Sequence, residues 1–138
     1  MGPRERLNEY LKRVKGQPFA WGSHDCLTFT NGAYRAMYGS GWADEWLDRY
    51  MVDGRPMRRT ELKREYKFGD FTLAVDSKLQ RYGGIPPLGA LVTTKHAQRW
   101  VTGVAMGICT GTRAVFLSKQ DVLYLPLDAI ENSWIRSK

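Results

Sequence analysis

Histidine and cysteine are both scarce in this sequence, with two of each among 138 residues. Cys26 and Cys109 stand in unlike settings and form no CxxC-type spacing, which argues against a disulfide framework or a zinc site. No metal and no cofactor is expected. Long apolar runs are missing too: no stretch approaches the roughly 18 uninterrupted apolar residues of a membrane-spanning helix. The opening MGPRERLNEYLKRVKG also lacks the apolar segment of a secretory signal. The expectation is synthesis in the cytoplasm and no membrane span. Acidic residues are the minority charge, 14 against 21 basic, for a net +7. The excess is spread evenly, at 13 against 9 over residues 1–69 and 8 against 5 over residues 70–138, so neither half is a basic tail. Repeats and low-complexity tracts are absent. With 43% apolar and 25% charged residues, disorder, collagen and coiled coil are excluded, and one domain over residues 1–138 is the expectation.

What is present falls into a helical part, about residues 1–84, and a sheet part, about residues 85–138. Leu7, Tyr10, Leu11 and Val14 recur at helical spacing over residues 4–15, and Gly16 and Pro18 end that pattern. A second stripe, Cys26, Phe29, Ala33 and Met37, predicts a helix from Cys26 to Tyr38, stopped by Gly39-Ser40-Gly41. Residues 42–68 read as one or two short helices around a loop at Asp53 to Pro56. Phe71, Val75, Leu79 and Tyr82 predict a further helix, with Asp70 as N-cap and Gly83-Gly84 as its end. Beyond Pro86 the period changes. Strands are predicted near Gly89–Thr94, Trp100–Thr110, Ala114–Ser118, Val122–Pro126 and Trp134–Arg136, in an antiparallel meander. Helices followed by a small curled sheet define an α+β domain.

The segment richest in chemistry is Pro18–Cys26, PFAWGSHDC, because it delivers a cysteine to the start of a helix. There the unpaired backbone N–H groups and the positive end of the helix dipole favour the thiolate. Cys26 is thus a candidate nucleophile. The plainer alternative is a small buried residue on the helix stripe. Arg55–Lys67, RPMRRTELKREYK, is the one local concentration of charge, with Arg55, Arg58, Arg59, Lys63, Arg64 and Lys67 against two glutamates. It reads either as a solvated helix face or as a surface for an anionic partner. Trp42, Trp46 and Tyr50 fall at four-residue spacing and form a stripe that must bury against something, with a neighbouring subunit as one option. Cys109 is expected in the core.

FAWGSHDC followed by an apolar helix resembles the nucleophile motif of the NlpC-type papain-like cysteine peptidases. PPLGALV and VAMGICTG resemble that family's Gly-Asp-hydrophobic and His-Val-Gly-Ile strands, in the same order. Similarity is greatest to a phage-encoded branch, through the opening amphipathic helix, Arg49-Tyr50 and the terminal strand with Trp134. The resemblance implies a papain-like fold with N-terminal helices on a small antiparallel sheet.

It also exposes departures. The family's base histidine falls on Ala105, which cannot accept a proton, and Phe19 replaces the tyrosine that precedes the Trp-Gly pair. Gly-Asp has become Gly89-Ala90. The polar residue that orients the histidine would fall in the mostly apolar Phe116–Ser118. Of the two histidines, His24 sits in the turn, and His96 is expected at the far end of the strand from the site. Both are weak candidates for a base. A bacteriophage virion or assembly component, tail-associated, on a degenerate peptidase fold follows as the first reading. Its partners would be other virion or tail proteins, including a symmetric homo-oligomer. The alternatives are a phage cell-wall hydrolase or amidase acting on peptidoglycan through Cys26, and a DNA-contacting ejection component using the basic segment.

Overall fold

A computed structural model describes residues 1–66 and 71–136. Helix α1, Pro3–Val14, starts with proline in its first turn, where the missing N–H costs no hydrogen bond, and carries Lys12 and Arg13 in its last. Leu7, Tyr10, Leu11 and Val14 form its buried stripe. Helix α2, Cys26–Tyr38, packs against it and ends at Gly39 in the left-handed conformation. The two helices approach closely at Gly32, where a Cβ would meet the Tyr10 hydroxyl. That hydroxyl instead donates to the Phe29 carbonyl at 2.8 Å.

The middle of the chain keeps one of the expected short helices after the loop and replaces the other with a tighter turn and a hairpin. A 3-10 turn at Asp44–Trp46 is followed by a hairpin of β1, Met51–Val52, and β2, Arg55–Pro56. Asp53 and Gly54 both have positive φ, the backbone demanded by a tight two-residue hairpin turn. Helix α3 covers Arg59–Tyr66 and α4 covers Phe71–Asp76. The latter is shorter than the sequence stripe implies, because Leu79 is buried outside the helix and Gln80–Arg81 form strand β3. Asp70, the expected cap, lies outside the described residues. Among the described residues the helical part therefore also contains three short strands.

Strands β4, Leu91–Thr94, β5, Ala105–Cys109, β6, Arg113–Leu117, and β7, Val122–Pro126, form the expected meander. The last strand, β8, Asn132–Ile135, does not extend it. It returns between β3 and β4, giving the order β3-β8-β4-β5-β6-β7 with antiparallel pairing. Residues 100–104, expected as strand, are a turn: Gly103 N–H donates to the Trp100 carbonyl, and Trp100 N–H to that of Val104. The fold class is α+β.

Side chains alternate across the strands and split the core in two. Leu91, Met106, Ile108, Val115, Leu117 and Trp134 pack with the helices. Ala90, Val92, Ala105, Cys109, Ala114 and Phe116 form a second cluster, against which Ala97, Leu125, Leu127, Ile130 and Ile135 close.

Candidate functional site

The turn before α2 is organised by Asp25, whose side chain is fully buried. Its Oδ1 accepts the backbone N–H groups of Leu27 at 2.9 Å and Thr28 at 3.0 Å. The Thr28 hydroxyl in return accepts the Asp25 N–H at 2.8 Å, completing a capping box. Oδ2 accepts the Gly22 N–H at 2.9 Å and the Tyr50 hydroxyl. Gly22 has φ +83°, and this left-handed turn brings its N–H onto the carboxylate. Tyr50 is buried, edge-on to Trp100 with ring centroids 4.9 Å apart. Burial, reinforced by the Asp25 charge, pushes the Tyr50 phenol far up, so its hydroxyl stays a donor. Gly22, Asp25 and Tyr50 thus meet in one place, and what they build is a helix cap.

Cys26 is 0% exposed. Burial pushes its thiol far up, and the Asp25 charge adds to that, while amides of Met106, Cys26 and Leu27 offset only part. The expectation of a helix-stabilised thiolate is corrected here, because loss of solvent outweighs the helix terminus.

Neither histidine joins it by a hydrogen bond among the described residues. The His24 ring is buried, edge-on to Phe29 at 6.2 Å, and its Nε2 has no hydrogen-bond partner among the described residues. Burial lowers its pKa, with Asp25 acting in the opposite sense. His96 is exposed in the turn after β4, and its N–H donates to the Thr94 hydroxyl. Thr94 pairs with Ala105, so His96 lies at the same end of β5 as Ala105, which corrects the far-end expectation. Ala105 itself packs in the second cluster, on the opposite face from Cys26; Met106 is the neighbour that shares the Cys26 cluster.

The aromatic stripe resolves inside the chain. Trp42 and Tyr50 are buried in its own core, with the Trp42 indole N–H donating to the Thr30 hydroxyl at 3.0 Å. The stripe is expected to bury against something, a subunit being one option; for Trp42 and Tyr50 the chain's own core is what they bury against, because residues 42–50 are not one helix and the turn folds both rings inward. Trp46 is half-buried, its ring 5.4 Å from that of Trp42 and 5.8 Å from the Lys78 ammonium.

The basic segment is likewise divided. Arg55, on β2, donates to both carboxylate oxygens of Glu61, at 2.9 and 3.2 Å. That contact and the Arg58 N–H hold the Glu61 carboxyl down at about 2. Arg58 precedes α3, Arg59, Lys63 and Arg64 lie exposed on it, and Lys67 lies outside the described residues. The segment is therefore not a single helix face.

Two structural residues escaped the sequence reading, Asp25 as cap and Thr28 as its counterpart. The Asp-x-x-Thr spacing at a helix start is the signal that finds them. Among the described residues no group of three or more His, Cys, Asp or Glu is placed to hold a metal, and no helix is long and apolar enough to cross a membrane.

Fold and site together define an α+β domain whose Asp-Cys turn caps a buried helix and seals its thiol. The chain belongs to the family described as Domain of unknown function (DUF6950), whose model it matches over residues 2–135. No curated protein and no solved structure matches it.

Proposed function

We propose that this chain is a tail-associated structural or assembly component of a bacteriophage virion, built on a papain-like fold of NlpC type that has lost its peptidase chemistry. The observation that carries the loss of chemistry is the sealed Cys26, fully buried with its thiol pushed far up. A nucleophile must be ionised and reachable, and the burial of Cys26 works against both. The site's one carboxylate, Asp25, has both oxygens engaged by the cap and Tyr50. The phage assignment rests on the ordered resemblance of FAWGSHDC, Arg49-Tyr50, PPLGALV, VAMGICTG and Trp134. Synthesis in the host cytoplasm and delivery within the particle accompany it.

The test combines thiol chemistry with particle composition. In the folded protein Cys26 should resist an aromatic disulfide reagent and react fully on unfolding. Phage carrying Cys26→Ala should remain infectious, and the chain should be found by mass spectrometry in purified particles. Rapid labelling of folded Cys26 together with loss of infectivity in Cys26→Ala would restore the hydrolase reading. Absence from particles would overturn the virion role.

A further inference from the structure

We infer that the cleft between helices α3 and α4 and the neighbouring ends of β4, β5 and β8 is a binding site for a small organic anion, a phosphate or carboxylate carried on an apolar body. The cleft has a volume of about 370 Å³, the scale of a small-molecule site, and it is separate from the Asp25–Cys26 turn. Arg59 and Lys63 line one wall, and their four-residue spacing places both on the same face of α3. The Arg59 guanidinium is held in place by donating from Nη2 to the Thr102 carbonyl at 2.9 Å, which leaves its other N–H groups for a ligand. Lys63 makes no ion pair among the described residues. This differs from Arg55, whose charge is met by Glu61.

A second, independent observation points to a ligand. The Thr102 hydroxyl, on the same lining, is buried without a hydrogen-bond partner among the described residues. A buried hydroxyl is normally satisfied, and rotation of the Thr102 side chain about its Cα–Cβ bond would turn this shielded hydroxyl toward an anion oxygen in the cleft. Leu62 and Phe71 add an apolar surface beside these donors, so the ligand should present an apolar body as well as a charge. Glu131 faces the same cleft and lies 3.8 Å from Lys95. With Lys95 counted beside Glu131, the charges at the cleft are Arg59, Lys63 and Lys95 against Glu131, +3 − 1 = +2, which suits a phosphate or carboxylate head group.

Phenyl phosphate is the probe, with benzoate and inorganic phosphate beside it and sodium chloride at matched ionic strength as the reference. Saturable thermal stabilisation by phenyl phosphate is expected, larger than that by inorganic phosphate. Stronger stabilisation by benzoate would identify the head group as a carboxylate within the same site. Arg59→Gln and Lys63→Gln should each weaken binding by about tenfold, while Arg64→Gln should leave it unchanged. Thr102→Val should raise the melting temperature of the unliganded protein and still weaken binding, a pair of opposite effects that a purely structural threonine would not give. Absence of a saturable shift with all three anions, or equal losses in Arg64→Gln and Lys63→Gln, would overturn the site. Destabilisation by Thr102→Val would remove the hydroxyl from it.

Discussion

Asp25 joins three parts of the chain at one carboxylate: the Gly22 turn, the first turn of α2, and Tyr50 from the hairpin approach. Tyr50→Phe keeps the ring and removes one donor, so it should cost about 2 kcal/mol, the range for a hydrogen bond to a charged group. Urea unfolding measures that loss. Combining it with Asp25→Asn should give a coupling of about 1 kcal/mol or more, because the residues are in direct contact. His24 supplies a pH dependence of definite sign. Its pKa is lowered by folding, so the unfolded chain takes up a proton that the folded one resists. Stability should therefore fall as pH drops below about 6.5, the ordinary histidine value, and level off once the folded pKa is passed. Denaturant midpoints between pH 8 and 5 should show this slope, and His24→Gln should flatten it. The lowered carboxyls Asp44, Glu61, Asp76 and Asp121 titrate in a lower window, since their stability is lost only as pH falls below the ordinary carboxylate range.

Among the elements, α1 and α2 were legible because each buries a single stripe at 3.6-residue spacing between strong stop signals. Helix α4 was not, although its stripe looked equally good. Asp76, its last residue, accepts from Arg81 Nε at 3.0 Å and from the Trp134 indole at 2.7 Å, and the chain beyond it extends to pair β3 with β8. A partner 58 residues away thus ends the helix. Strand β5 depends on a glycine for a different reason. A Cβ at Gly107 would collide with the Val115 carbonyl and the Phe116 ring. Gly107→Ala should therefore destabilise by about 1–3 kcal/mol, as overpacking does, and a fall in melting temperature would report it.

For the molecule as a whole, β8 is the closing element. It pairs with β3 on one side and β4 on the other, tying the end of the helical part to the centre of the sheet. Trp134 carries this role, being 0% exposed and bonded through its indole N–H to Asp76. Trp134→Ala should cost about 3–5 kcal/mol, a large fraction of the stability of a domain this size. Loss of cooperative unfolding in calorimetry is the expected outcome; a small shift with an intact transition would contradict the closing role. The proposed virion role also belongs to this scale, since a domain with a sealed thiol offers its surface rather than its interior to partners.

The amino-acid sequence by itself determined the α+β class, the two N-terminal helices, the meander from β4 to β7, and the interest of the turn that delivers Cys26 to the start of α2. Each follows from local periodicity and from residues that stop or start elements. Only the tertiary structure decided what that turn does. Whether a helix-terminal thiol ionises depends on the solvent left around it, and Cys26 has lost that solvent to packing from distant elements. The same holds for Trp42 and Tyr50, which turned inward, and for the basic segment, where Glu61 neutralises Arg55 and leaves Arg59 and Lys63 at a cleft. With only two histidines in the chain, one is buried with its Nε2 lacking a hydrogen-bond partner among the described residues and the other is exposed in a turn. Spacing along the chain brings residues to the right place, while burial and pairing across it set their chemistry.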